Sequence, residues 1–553
     1  MVKRILFLLG ICAVIITLWQ TFCHSYTIED GPAVDTYAES ADGQTILFVP
    51  LDSRPPCRQW VEDLGRLIGC QVVMPPSNLL DYYSAAGDTD GVKAWVMQNI
   101  GNADVAILSI DQLLSGGLLA ARERTIDQHD ETALLDFLRT LHAKAPNVPL
   151  YAFGVLPRLQ PPDNLGNYRE RQQLVEYSRL VGRKNAGFNV DEQKIAELTA
   201  AVAPEVLTQY RQRYTTNTTL NEKLAQLAKE RVITELILGQ DDGEPYGSPN
   251  IEVQRLKKII MSQQSGDRVT ITHGADELAL MILARITQET DAKVYVHYAD
   301  PSAAWRVMPY MAINMRDTVG EKLAFLQAKA VASPKEADFI LVVNAANSAA
   351  YRTKTINAIK EFLAQGQQVA VVDLSVHFRA EETLLPLMLK RDVPINALIA
   401  YAGWNTASNS VGTALAQSVT FVAMQKKIAD REVAKKFYVK NMRIVQNRII
   451  EDNFYLKNAI DEVNGNLKKI GFANTADLDW QHNYRLANFM LQCSLAKKTA
   501  IYKESRAFRQ PFYAKRQAEK ISLFADGLTI DTYYPWPRTF EIYLETSVNA
   551  KEQ

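Results

Sequence analysis

Glu235-Leu-Ile-Leu-Gly-Gln-Asp241-Asp242-Gly-Glu-Pro-Tyr-Gly247 is a short apolar run that stops at two adjacent carboxylates and then at turn residues. A buried strand that delivers acids to a solvent-facing rim reads this way. Neighbouring carboxyls oppose each other's ionisation, so such a pair tends to divide into a charged member and a proton-carrying member, the split that acid/base catalysis uses. The plainer alternative is helix capping, with Asp as the cap, Glu244 in the first turn and Asn250 opening the following helix. Recurrence of the same arrangement along the chain favours chemistry.

Ile46-Leu-Phe-Val-Pro50 runs into Leu51-Asp52-Ser53-Arg54-Pro55-Pro56, and Val105-Ala-Ile-Leu-Ser109 into Ile110-Asp111-Gln112 and Ser115-Gly116-Gly117. Leu150-Tyr-Ala-Phe-Gly-Val155 ends at Pro157-Arg158, and Val269-Thr-Ile-Thr272 at His273-Gly274-Ala275-Asp276-Glu277. Later, Phe339 to Val343 gives Asn344, Val369 to Val372 gives Asp373, and Ala397 to Tyr401 gives Gly403-Trp404-Asn405 with Asn409. Each reads as a parallel strand with its functional end exposed.

Between these runs lie helical spacings of apolar residues, at Ile251 to Met261, Glu277 to Thr287, Ile356 to Leu363 and Glu381 to Leu389. Alternation of near-continuous apolar strands with helices argues for a parallel α/β sheet covered by helices. The longest runs number eight, which favours a (β/α)8 barrel of the TIM type over residues 45–420, with its active site at the C-terminal ends of the strands and the Asp-Asp pair ending the fourth. Gln71 to Met74 and Lys293 to His297 are left as shorter extras; if they join, the sheet opens into a doubly wound fold with a second lobe. From residue 421 to 553 the character changes to long charged helical periodicities, Asp430 to Asn464 and Tyr484 to Ala518, then a loop at Ile530 to Arg538 and a final strand at Phe540 to Leu544.

Lys and Arg (61) nearly balance Asp and Glu (62), and no basic stripe with interleaved aromatics is present, so nucleic acid is not an expected partner. Lys3-Arg4 precede an apolar segment from Ile5 to Trp19, followed by Cys23-His24-Ser25. Residues 1–25 are read as a signal peptide or signal anchor and 26–44 as a linker, which makes the protein secreted, periplasmic or membrane-anchored on the extracytoplasmic side. A membrane tether through that segment stays open, and oligomeric state is not legible. Cys57 and Cys70 could pair or remain reduced, and no cysteine spacing suits a metal. Gly-x-Ser-x-Gly, Walker and His-Glu-x-x-His signatures are absent.

Three further constellations are candidates. Asp52 and Arg54 pair an acid with a guanidinium in a turn stiffened by Pro55-Pro56, either to grip sugar hydroxyls or to brace the fold. His273 to Glu277 opens a helix, where Asp276 would be a dipole-stabilising first-turn residue or a ligand contact. In Tyr401-Ala-Gly403-Trp404-Asn405-Thr406-Ala-Ser408-Asn409, Trp offers a flat face to a pyranose and Asn both a donor and an acceptor; the alternative is a core Trp with turn and cap asparagines.

Together Leu51-Asp52-Ser-Arg54-Pro55, Ser109 to Gly117, Gln240-Asp241-Asp242-Gly, Gly274-Ala-Asp276-Glu277 and Gly403-Trp404-Asn405-Thr-Ala-Ser-Asn409 resemble the bacterial family catalogued as domain of unknown function 4127, from about Ile46 to Pro537. That resemblance implies a bacterial protein and no particular reaction. The Asp-Asp pair also resembles the retaining N-acetylhexosaminidases that use neighbouring-group catalysis. This second resemblance implies that Asp241 orients the substrate's 2-acetamido group and Asp242 acts as acid and base. The expectation is an exported glycoside hydrolase without cofactor, acting on a carbohydrate, with Asp241 and Asp242 catalytic. Asp52, Arg54, Asp111, Arg158, His273, Asp276, Asp373, Trp404, Asn405 and Asn409 are expected to bind substrate. Two rivals stay open: a divalent-metal-dependent hydrolase with ligands among Asp52, Asp111, Asp241, Asp242, His273 and Asp373, and a non-catalytic glycan-binding envelope protein.

Overall fold

The computed structural model describes residues 43–287, 291–345, 348–517 and 519–552. The apolar runs form parallel strands, and most of their residues are buried on both faces by helices. β1 (Thr45–Val49), β2 (Gln71–Val73), β3 (Val105–Ser109), β4 (Leu150–Leu156), β5 (Glu235–Gln240) and β6 (Val269–His273) make one sheet in the order β2-β1-β3-β4-β5-β6. β7 (Lys293–His297), β8 (Lys329–Ala330), β9 (Phe339–Asn344), β10 (Val369–Asp373) and β11 (Leu398–Ala402) make a second, ordered β11-β10-β9-β7-β8. Each interior Phe on these strands, such as Phe48, Phe153 and Phe339, is fully buried and contributes about 1.5–3 kcal/mol.

Among the described residues no pairing joins the two sheets, so they are open, in place of the closed eight-stranded barrel expected from the sequence. The cause lies in the two short runs set aside as extras. Gln71–Val73 pairs with the first strand and becomes an edge, and Lys293–His297 begins the second sheet. In both sheets the second strand lies outside the first, the doubly wound order whose ligand crevices open at the carboxyl ends of the strands where the order reverses. The Asp-Asp pair consequently ends the fifth strand, and Leu156, Gln240 and His273 pair across β4, β5 and β6, so the residues that follow them leave the sheet at one rim.

The two sheets are joined through helices. Ala407–Lys427, the helix after β11, packs on Leu278–Ile286, the helix after β6, and on Met315–Phe325, the helix after β7. Gly412 permits that approach, since a Cβ there would lie 2.4 Å from Glu277 Cγ. Lys322 Nζ and Glu277 Oε1 are 2.6 Å apart across the same junction, with both side chains fully buried.

After the second sheet come helix Arg431–Ile449, a π-helical stretch Ile450–Ala459, and helices Ile460–Lys469 and Tyr484–Lys503. The chain closes on a three-stranded antiparallel sheet, β12 (Phe512–Arg516), β13 (Glu519–Tyr533) and β14 (Tyr543–Glu552). The second helix is thus shorter than its periodicity predicted, and Ile530 to Tyr533 is strand, not loop: burial along β13 alternates in the two-residue period of a half-covered sheet. The signal or anchor and all but the last two residues of the linker fall outside the described residues. No described helix is long and apolar enough to cross a membrane. Cys57 and Cys70 are unbridged.

Candidate active site

The turn after β1 folds back on itself through ion pairs. Arg54 donates from Nε (2.9 Å) and Nη2 (2.6 Å) to Asp52, from Nη2 to Asp276 Oδ1 at 2.6 Å, and from Nη1 to Glu541 at 3.3 Å. The Cys57 thiol donates to the same Asp276 oxygen at 3.5 Å. Asp52 is fully buried and Arg54 and Asp276 nearly so, which makes this a brace between the ends of β1 and β6 and the C-terminal segment that carries Glu541 more than a hydroxyl-gripping surface. Asp81, in the turn after β2, accepts from Ser53 N, while burial and the Asp52 charge push its carboxyl up to about 8.

β3 hands over to the rim by a cap and a glycine pair. Ser109 Oγ accepts from Gln112 N at 3.2 Å and starts helix Ile110–Ser115. Gly116 and Gly117 then take positive φ of 76° and 116°, where a Cβ on Gly117 would lie 2.7 Å from Asp81 Cγ. The chain restarts as helix Leu118–Glu123, which aims Arg122 at the end of β5. There Arg122 grips Asp241 Oδ2 with Nε at 3.1 Å and with Nη2.

The two carboxyls of the acid pair are shifted in opposite directions. Burial opposes ionisation of Asp241, yet Arg122 and Arg158 and the Asp242 N–H, 2.8 Å from Oδ1, carry its carboxyl below the usual range. Asp242 is half-buried, its side chain has no hydrogen-bond partner among the described residues, and burial with the Asp241 charge pushes it up to about 7. Burial likewise pushes Asp111 up to about 7, although Oδ2 accepts from Val155 N at 2.9 Å. A carboxyl held below the usual range and one pushed up to about 7 therefore sit side by side where the β5 strand meets solvent.

The second sheet supplies the opposite wall. Asn405, at φ 48°, and Asn409 donate to Asp276 Oδ2 at 3.2 and 3.4 Å, and Asn409 Oδ1 accepts from Ala275 N at 3.4 Å. Gly243 N donates to Tyr310 O at 3.1 Å, drawing the segment after β7 over the acid pair. Asp241, Asp242, His273, Tyr310 and Asn409 then line one gap between the sheets. His273 Nδ1 lies 2.8 Å from Glu321, whose carboxyl is opposed by burial but held low by this ring.

A family model described as "Protein of unknown function (DUF4127)" matches residues 46–545. The chain belongs to this family. No curated protein matches it.

In this DUF4127 protein the structure departs from the sequence reading at two expected ligand contacts besides the braced Asp52, Arg54 and Asp276. Trp404 is 2% exposed and packs edge-on against Trp60 with ring centroids 4.6 Å apart, so its face is spent on the core. Asp373 is fully buried and already accepts from Asn344 at 2.9 Å, Leu384 N at 2.8 Å and Tyr401 at 2.7 Å, away from the acid pair. The capping alternative also falls: helix Ser248–Gln263 begins at Gly247 without a side-chain cap, and Asp276 serves Arg54 and the asparagines. Sequence reasoning missed Arg122, Asp81, Arg213 and Tyr310. Asp81 follows a strand set aside as an extra, and Arg122 follows the quoted glycine pair by one helical turn; both signals were present.

Proposed function

We propose that this protein is an exported hydrolase of glycans in which Asp242 is the proton donor and acceptor and Asp241 its charged partner. The observation that carries this reading is the division of the pair: Asp241 is ionised against Arg122, and Asp242 stands partnerless at about 7 beside a gap between two sheets. A carboxyl with that value can give a proton at neutral pH and take one back. On an N-acetylhexosaminide, the substrate's acetamide oxygen attacks the anomeric carbon while Asp241 holds the acetamide N–H. Asp242 protonates the departing glycosidic oxygen as the C–O bond breaks. Its carboxylate then takes a proton from the water that opens the cyclic intermediate. Asn409 and His273 line the gap and are the polar contacts this reading assigns to the sugar.

The metal-dependent rival finds little support in the geometry. Among the described residues the one close ligand group is Asp52, Cys57 and Asp276, and Arg54 Nη2 already lies 2.6 Å from each of its carboxylates. A dication there would confront a fixed guanidinium charge.

The test is release of aryl leaving groups from a panel of glycosides by the purified full chain, with and without chelator, beside Asp242→Asn. Release from an N-acetylhexosaminide that survives chelation and collapses in the variant is expected. Inactivity on every sugar moves the protein to glycan binding, and loss on chelation moves it to metal chemistry.

A further inference from the structure

Behind Asp241 a second space opens, a small cleft between the ends of β3 and β4 and the long helix Pro204–Lys229. Asp241 is its shared wall with the gap described above, because that residue lines both. Arg122 enters it from the helix after the glycine pair, Arg158 from the end of β4, and Arg213 from the long helix. Only one of these cations is answered in place. Arg122 is paired to Asp241, whereas neither Arg158 nor Arg213 has a carboxylate within ion-pairing distance among the described residues. Asn217 and Asn221, one and two turns beyond Arg213, line the same cleft and add amide groups.

We propose that this cleft is an anion subsite, taking a phosphate or carboxylate carried by the substrate and seating it beside Asp241. Packing three guanidinium groups around one space costs repulsion that a merely structural cleft would relieve with another acid. Here the mutual field is felt: burial lowers both Arg158 and Arg213 from the usual arginine value, and each is further lowered by its guanidinium neighbours, a loss opposed by the more distant charges of Asp241, Asp242 and Asp163 at Arg158 and by Tyr214 and Tyr210 at Arg213. The acid that does line the cleft besides Asp241 is Asp111, which burial pushes up to about 7, so it compensates incompletely at neutral pH. Guanidinium forks match the planar oxygens of a carboxylate and the edges of a phosphate, and an oxyanion that brings its own charge turns the repulsion into binding. The proposal deepens the hydrolase reading by naming an acidic glycan as the substrate class, yet the subsite stands or falls on binding alone.

Calorimetric titration of the full chain, in mild detergent and low salt, with inorganic phosphate, glucose 6-phosphate and glucuronate tests it. Measurable binding of at least one is expected, weakened about tenfold or more by Arg158→Ala and by Arg213→Ala and unchanged by Arg255→Ala, whose side chain is exposed on another helix. Preference for the phosphosugar or the uronate assigns the source of the anion. Absence of binding by all three ligands, or affinities in both variants within about twofold of the parent, overturns it. Should the variants fold poorly, the parent alone decides: at least one of phosphate, glucose 6-phosphate and glucuronate should slow modification of Arg158 and Arg213 by an arginine-selective dicarbonyl, read by peptide mass spectrometry, and leave Arg255 unaffected. Equal rates with and without each of the three overturn the proposal. Anion binding in a chain inactive on every glycoside would retain the subsite and sink the hydrolase; activity on neutral glycosides without anion binding would do the reverse.

Discussion

Lys322 Nζ lies 2.6 Å from Glu277 Oε1 at a junction where neither side chain is exposed, one residue coming from the helix after β7 and the other from the end of β6. Ser408 Oγ bonds both Glu277 and His273 O, so the pair ties the two sheets and the strand end that bears His273. Lys322→Met leaves the Glu277 charge buried without its partner and should destabilise the fold by about 3–5 kcal/mol. Lys322→Met with Glu277→Leu should recover most of that, since an apolar pair of similar volume replaces a desolvated ion pair. Urea unfolding of the single and double variants measures both; a single variant within about 1 kcal/mol of the parent would show that the pair does not hold the sheets.

Arg54 pairs with three buried acids at once, Asp52, Asp276 and Glu541, and its removal should be felt as a charge defect. Arg54→Ala should cost about 3–5 kcal/mol. It also clears the space between Asp52, Cys57 and Asp276, which lie close enough together to ligate one ion. Zinc or manganese should then raise the unfolding temperature of Arg54→Ala, while neither the metals nor a chelator should move that of the parent. A chelator-sensitive parent contradicts the assignment of Arg54 as the resident cation.

Trp404 distinguishes core from ligand surface. Burial against Trp60 makes Trp404→Ala a cavity mutation costing about 3–5 kcal/mol. Thermal unfolding should report that loss, while the affinity of the surviving folded fraction for any glycan stays unchanged. Lost affinity at parental stability would restore the sugar-stacking role.

Much of this architecture was legible because a parallel strand needs apolar residues on both faces and must stop where solvent begins. The runs ending at Asp52, Asp111, Asp241 and His273 were therefore read correctly as strand ends. Closure was not legible. Whether Gln71–Val73 pairs with β1 and whether Lys293–His297 continues one sheet or starts another depend on long-range hydrogen bonding that leaves no period in the chain. The same limit hid Arg213, which on its own helix looks like an ordinary solvated cation and acquires meaning only when β4 and β5 bring Arg158 and Asp241 beside it. Trp404 misled for the converse reason: an aromatic at a strand end advertises a ligand face, and only Trp60, on the helix after β1, shows that the face is covered.

On the proposed mechanism the pH profile should be bell-shaped. Asp242 must carry a proton, so turnover should fall as pH rises through about 7; Asp241 must be charged, so turnover should fall again only well into the acid range, below the usual carboxylate value. Arg122→Ala removes the cation that opposes burial at Asp241, and should move the acid limb upward toward neutrality. An acid limb that stays in place in Arg122→Ala excludes Asp241 as its origin.

Asp242 also makes a prediction about stability that does not depend on knowing the substrate. Its carboxyl is raised from 3.8 to about 7 on folding, so the folded state holds a proton that the unfolded chain has already released anywhere between those values. Stability contributed by this group is therefore fully present below about 4 and declines as pH rises to about 7, where the folded protein too must ionise a half-buried acid beside the Asp241 charge. Asp242→Asn keeps the shape and abolishes the ionisation. Its unfolding temperature should match the parent near pH 4 and exceed it at pH 8, even as hydrolysis is lost, the pattern expected of a carboxyl kept in an unfavourable setting for its chemistry. Equal unfolding temperatures at both pH values would show that Asp242 ionises as easily in the fold as in water, and would remove the observation on which the acid/base role rests.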